Sequence, residues 1–276
     1  MTHDCHQPTA CGCRVVPEVT LGACSRDLTF PLFSISQVSH APGAYYPRHA
    51  HERGYVAFVQ QGCHQDEVAG KTDLAQSATV VVMPRGVAHS NRIGKRGARA
   101  LLVSLEPALL EIARVPNQWR SLRSGPATRV FLRLCQTLQL PWESERDTIE
   151  ELVLELLHAV AGTPATPLRG APRYVRLARA QLRENACGRF RLADVAREAQ
   201  VDAAYLARAF RRAEGCTMGE YVRRLRACKA AALIAAHRMP LAEVAFTAGF
   251  ADQSHLSRIF KTEFGVTPLS YQRLVG

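Results

Sequence analysis

From Leu28 to about Leu105 the apolar positions fall in short runs rich in Val, Ile, Phe and Tyr, such as Tyr55–Val59 and Thr79–Met83, broken by Gly and Pro. Runs of that length between turn formers predict the strands of a sandwich or barrel. The period then changes. Residues 127–140 and 145–161 read as helices, the second with Ile149, Leu152, Val153, Leu156, Leu157 and Val160 on one face and Glu145, Asp147, Glu150, Glu151 and Glu155 on the rest. Such a pair packs either on the barrel or on a second copy of the chain, so a homodimer is one candidate assembly. Residues 163–172, with Pro164, Pro167 and Pro172 among small residues, have no periodicity and read as a linker. Beyond them the pattern is helical almost to the end. The expectation is an α+β multidomain chain: a tail over 1–27, a β-sandwich or β-barrel domain with a helical connector over 28–162, a linker over 163–172, and an all-α domain over 173–276.

Charge sharpens that division. The chain has 276 residues and a formal net charge of +11. Residues 1–168 hold 16 Lys and Arg against 15 Asp and Glu, while 169–276 hold 19 against 9. A folded domain with that excess attracts a polyanion, because neutralising phosphates releases their counterions. No apolar run approaches the roughly 20 residues of a membrane span. The first residues lack the basic leader and apolar segment of a secretion signal, so a cytoplasmic protein without membrane contact is expected.

The basic domain contains a repeat at an offset of 50 residues: Leu206, Arg208, Phe210, Gly215, Thr217, Tyr221 and Arg223 recur as Leu256, Arg258, Phe260, Gly265, Thr267, Tyr271 and Arg273. Each copy reads as a helix-turn-helix. In the first, Leu192–Ala196 opens a short helix, Gln200-Val201 make the turn, and Asp202 caps a helix to about Ala213. In the second, Leu241–Ala245 opens the short helix, Ala248-Gly249-Phe250 make the turn, and a helix runs from about Asp252 to Phe264. Small Ala196 and Ala245 let the paired helices approach. Leu206 with Phe210, and Leu256 with Phe260, are apolar i, i+4 pairs that seat each second helix on the core.

A recognition helix offers its N-terminal outward residues to base edges, with basic residues nearby for phosphates. In the second unit these are Gln253, Ser254, His255 and Arg258. In the first they are Ala203, Ala204, Tyr205, Ala207 and Arg208, where the alanines offer only apolar contact. Arg211, Arg212 and Lys261 are phosphate candidates. Double-stranded DNA is therefore the expected partner.

The segment AFTAGFADQSHLSRIFKTEFGVTPLSYQRL, residues 245–274, resembles the closing signature of AraC/XylS-family transcription regulators, and the similarity extends over about 173–274. The resemblance implies a seven-helix domain in which a long helix, here about Met218–Ala236, holds two helix-turn-helix units for successive major grooves. It also implies RNA polymerase as a partner, as for an activator. Gln200 departs from the family, where Gly or another small residue is common in that turn.

In the first domain, Gly43, His49-x-His51, Gly62 and Pro84-x-Gly86-x-x-His89 resemble the two cupin motifs, and many AraC-like regulators carry a cupin-like domain that binds a small effector. At the spacing of the usual Glu ligand stands Tyr55, with Glu52 directly after the His pair. His49, His51 and His89 suit a divalent metal with an open position; scaffold or contact with an organic effector, including Tyr55, is the alternative. A metal-dependent cupin enzyme fused to a DNA-targeting module is the competing function, and loss of the Glu ligand argues against it, so no catalytic residue is assigned. His3, Cys5, His6, Cys11 and Cys13 form a second soft-metal candidate or an incidental tail. Cys135, Cys187, Cys216 and Cys228 read as small buried hydrophobes in helices.

Overall fold

A computed structural model of the chain describes residues 21–162, 171–236 and 239–276, and the backbone of 14–16. The His3–Cys13 cluster and most of the linker lie outside the described residues. The chain divides between residues 163 and 164 into two compact units.

The first unit is a nine-stranded sheet wrapped into a cupin-like barrel. Its strands are β1 (Arg14–Val16), β2 (Ala23–Thr29), β3 (Phe33–His40), β4 (Tyr45–His51), β5 (Gly54–Val68), β6 (Lys71–Gln76), β7 (Val80–Met83), β8 (His89–Leu105) and β9 (Arg120–Leu122). All pairings are antiparallel except β1 with β4. Long β8 joins the layers: it pairs with β4 near His89, with β3 from Ala98 to Leu105, and with β5 along most of its length. The two long strands bend together at Gly62 (φ 72°) and Gly97 (φ 76°). A Cβ on Gly62 would lie 2.0 Å from the Gly97 carbonyl oxygen, so only glycine permits this corner.

The run Tyr55–Val59 is apolar throughout because β5 is covered on both faces. Ala57 and Val59 join Val38, Val81, Ala100 and Leu102 in one core cluster, with Tyr55 packed against it. The alternate residue Phe58 stacks on Phe131 of α2 (Pro126–Thr137), with centroids 5.5 Å apart. The connector helices α2 and α3 (Arg146–Gly162) thus pack on the barrel, and the six predicted apolar positions of α3 are all buried. Burying Phe131 contributes roughly 1.5–3 kcal/mol.

Several expectations need correction. The sheet begins before Leu28: β1 and most of β2 fall in the expected tail, and β2 gave no signal because nearly all its side chains are exposed. Helix α1 (Pro107–Ile112) and strand β9 were not expected; both are too short to establish a period. Cys187 lies in the turn after a helix, half-exposed, buried Cys216 lies between helices, and Cys228 is helical but only half-buried.

Among the described residues the second unit has seven helices: α4 (Arg173–Glu184), α5 (Leu192–Glu198), α6 (Ala203–Glu214), α7 (Met218–Ala235), α8 (Leu241–Thr247), α9 (Gln253–Phe264) and α10 (Pro268–Val275). The repeated residues explain themselves. Leu206, Phe210, Leu256 and Phe260 are fully buried. Gly215 and Gly265 end α6 and α9 at φ 70° and 78°, the left-handed closure that favours glycine. Thr217 and Thr267 cap α7 and α10, the former in a reciprocal box with Glu220. Tyr221 and Tyr271 set their rings against Phe210 and Phe260 at 5.4 and 5.3 Å.

Candidate functional site

The two turns have one geometry despite their different sequences. Gln200 lies at φ 56° and Gly249 at φ 85°, both left-handed. The following amide closes each turn alike: Val201 N–H donates to Ala196 O at 3.1 Å and Phe250 N–H to Ala245 O at 2.9 Å. Gln200 therefore adopts the glycine conformation at a cost of about 1 kcal/mol. Each turn delivers an aspartate to a helix start, where Asp202 accepts from the Tyr205 amide at 2.8 Å and Asp252 from the His255 amide at 2.7 Å.

With α6 and α9 so fixed, their outward residues are set. Ala204, Tyr205, Arg208, Arg211 and Arg212 are exposed on α6, and Gln253, Ser254, Arg258 and Lys261 on α9; Ala203 and Ala207 are half-buried. Arg208, Arg211, Arg212, Arg258 and Lys261 have no carboxylate partner among the described residues, whereas Arg179, Arg197 and Arg224 nearby are engaged by Glu214, Asp194 and Glu263. Unneutralised cations on two equivalent helices leave their charge available to an anion. His255 differs from its neighbours. It is half-buried, its ring stands edge-on to Phe250 at 5.4 Å, and its Nδ1 lies 3.5 Å from the Ala251 amide, so it braces the turn. Tyr174 on α4 was missed by sequence reasoning; its hydroxyl donates to the Tyr205 hydroxyl at 3.0 Å and holds that ring on the exposed face of α6.

In the barrel, alternation on β4 points His49 and His51 to one side, and His89 at the start of β8 pairs directly across from His49. One ring nitrogen from each lies within 4.8 Å of the others, and all three residues are buried. Two of the rings have a settled tautomer. His49 Nδ1 donates to Pro47 O at 2.7 Å and His89 Nδ1 to Val87 O at 3.0 Å, which leaves each Nε2 an acceptor. Both Nε2 atoms are buried with no hydrogen-bond partner. Burial holds His49 below its ordinary pKa and His89 at about 4, so both are neutral near neutral pH. Backbone-fixed imidazoles with inward lone pairs are how proteins prepare nitrogen ligands for a metal. Metal bonds of about 2.0–2.1 Å bring such nitrogens roughly 3.4 Å apart, a separation within the 4.8 Å that bounds these three. The residues therefore fit a divalent metal, and Tyr55 stands beside the set, its ring edge-on to His51 at 5.4 Å between centroids.

The surrounding cavity measures about 50 Å³ and is also lined by His40, Tyr46 and His64. Behind it, Asp66 accepts from His64 Nε2 at 3.2 Å and from Asn91 Nδ2 at 2.6 Å. Burial opposes the Asp66 charge, but His64 and both hydrogen bonds outweigh it and hold the carboxyl below its usual range. Burial likewise opposes charge on His64, and Asp66 overcomes it, raising the imidazole. Sequence reasoning passed over this pair, although His64 and Asp66 show the same i, i+2 spacing as His49 and His51.

Fold and exposed helices together define a DNA-binding domain of double helix-turn-helix type. Residues 195–274 match the family model described as a helix-turn-helix domain. Among relatives, the transcriptional activator RhaR of Mannheimia succiniciproducens is 26% identical over 178 residues, covering 62% of this chain and 64% of that protein. The probable transcription factor PqrA of Proteus vulgaris is 38% identical over 68 residues, 25% of this chain and 56% of that one. The crystal structure of ToxT from Vibrio cholerae O395 aligns with a TM-score of 0.37 at 11% identity, over 88% of this chain and 98% of that one. The C-terminal unit is thus similar to the helix-turn-helix domains of transcription regulators, the match covering residues 195–274. The chain spans less than two thirds of the length of these two relatives.

Proposed function

We propose that the protein is a sequence-specific DNA-binding transcription regulator that receives its signal in the N-terminal barrel. The carrying observation is the pair of equivalent helices, α6 and α9, capped by aspartates and presenting unpaired cations in a domain with nearly all the chain's excess charge. In this reading Gln253, Ser254 and Arg258 read base edges. Tyr205 and Arg208 do so from α6, Ala204 and Ala207 add apolar contact, and Arg211, Arg212 and Lys261 hold phosphates. His255 acts by positioning the helix. RNA polymerase and a second copy of the chain are the expected protein partners, in the cytoplasm. Selecting bound DNA from a random pool tests this directly: Arg258→Ala is expected to relax preference at particular bases, and Arg211→Ala to weaken all sequences alike. Recovery of no common sequence by the unaltered chain would refute the reading.

The signal is best assigned to a divalent transition metal at His49, His51 and His89, because the two orphaned Nε2 atoms are otherwise without purpose in a buried site. Such an ion would supply a Lewis-acidic charge with positions open to a small anion. The residues would hold it in neutral form, with Pro47 and Val87 carbonyls fixing two of the rings. Addition of Co(II) is expected to give visible ligand-field absorption that His89→Ala abolishes. Absence of that absorption in the unaltered chain would leave the cavity to an organic effector.

A further inference from the structure

On the far side of Tyr55 from the histidines, the ends of β5, β7 and β8 meet α1 and residues 114–117 around a second cleft of about 450 Å³. This lies in the size range of small-molecule sites, about 300–1,000 Å³. Its walls are apolar, with Val82, Met83, Leu105, Leu110, Val115 and Pro116. The construction depends on glycine: a Cβ on Gly54 would come within 3.0 Å of Leu110 Cδ1 and 3.2 Å of the Arg85 nitrogen. A side chain there would push Leu110 of α1 and the Arg85 backbone outward by a few tenths of an ångström. Helix α1 then ends on a left-handed residue, Arg114 at φ 51°, with Arg114 N–H donating to Glu111 O at 3.1 Å and Val115 N–H to Leu110 O at 3.2 Å. That closure folds 114–117 back over the cleft, in a conformation a non-glycine residue adopts only at some cost.

The polar lining is unbalanced. Arg85 and Arg114 are exposed at the cleft against one carboxylate, Glu111, and neither guanidinium has an ion-pair partner among the described residues. We propose that this cleft binds a small organic acid, its carboxylate held by Arg85 and Arg114 and its apolar body against Met83, Leu105 and Leu110. Guanidinium offers a carboxylate paired, charge-assisted donors. The apolar part of the lining favours an organic acid over phosphate or sulfate, which would leave Val82, Met83, Leu105 and Leu110 uncovered. Tyr55 lines both cavities, so an occupant of the cleft lies against the wall of the histidine site. The inference stands on the barrel alone and does not require DNA binding or a metal.

Titration calorimetry of the full chain, stripped of metal with chelator, tests it with octanoate and phenylacetate as probes. Saturable one-to-one binding of at least one probe is expected, with the matching amide weaker by about tenfold or more because it lacks the charge. The Arg85→Gln/Arg114→Gln double variant is expected to lose affinity for the acid to a similar degree, and Arg114→Lys to fall between it and the unaltered chain, since an ammonium keeps the charge but not the paired donors. Leu110→Trp, which fills the cleft, should abolish binding; the exposed arginine variants decide the matter if that variant fails to fold. The proposal is overturned if neither acid binds saturably, if acid and amide bind equally, or if the double variant binds as the unaltered chain does. None of these outcomes bears on DNA recognition, which the selection experiment judges separately.

Discussion

Replacing Gly249 by alanine separates two costs that the structure places at one residue. At φ 85° an alanine loses about 1 kcal/mol to the left-handed conformation. Its Cβ would also stand 2.7 Å from the carbonyl oxygen and 2.8 Å from the Cα of Cys187, and these backbone atoms cannot swing aside as a flexible side chain would. Overpacking of that kind costs roughly 1–3 kcal/mol, so the total is roughly 2–4 kcal/mol. The first unit provides the control. Gln200 has the left-handed conformation but is exposed. Gln200→Ala should be neutral, and Gln200→Gly should gain about 1 kcal/mol from relieved strain while losing about 0.5–1 kcal/mol to unfolded-chain entropy. Urea unfolding of the full chain, followed by far-ultraviolet circular dichroism, measures the helical unit. A loss below about 0.5 kcal/mol for Gly249→Ala would refute the claim that this turn is sterically closed.

Asp202→Ala and Asp252→Ala should each remove about 1 kcal/mol from the helical unit, and asparagine at either position should restore most of it, since each aspartate caps a helix start. Gly62→Ala should prevent the barrel from folding, seen as lost tryptophan emission change on unfolding, because both tryptophans, Trp119 and Trp142, lie in that unit. Barrel stability should fall as pH drops from about 6.5 toward 4. Burial, aided by the nearby His64 charge, holds His40 at about 4, and burial does the same for His89, so the unfolded chain binds protons that the folded one refuses. Each group contributes a slope of up to about 1.4 kcal/mol per pH unit in that window and none above it. Tyr46, 3.0 Å away, and His64 are the groups that act on His40, and His40→Gln should remove one group's share. A flat profile over that window would refute the assignment.

The helical unit was largely legible because its signals are local. Leu206/Phe210 and Leu256/Phe260 mark the buried stripe, and the repeated Gly, Thr and Tyr mark a closure, a cap and a ring contact within a few residues of one another. The histidine triad was legible for a similar reason: two members alternate on one strand. Other features depend on distant segments. The exposed strand β2 is held by backbone pairing with β3, which leaves no hydrophobic trace in its own residues. The Asp66–His64–Asn91 group requires the long pairing of β5 with β8. The role of His255 also lay outside the motif. Its position identifies a reading residue, but Phe250 and the Ala251 amide take up its ring.

The close approach at Gly249 involves more than one turn. The opposing segment, residues 185–188, is also gripped by Arg226 of α7, whose guanidinium donates to Ala186 O at 2.7 Å and Gly188 O at 2.8 Å, while Lys229 Nζ lies 3.1 Å from Cys187 Sγ. The segment leading from α4 to the first unit is thus wedged between the long helix and the turn of the second. A joint pinned on both sides acts as a ruler. Each base pair inserted between two sites on DNA moves the farther one by about 3.4 Å and turns it by roughly 34–36°. A domain that cannot extend or twist at its middle would lose one of its two grips after a single insertion. The spacing between half-sites would then be as much a part of its recognition as the bases themselves.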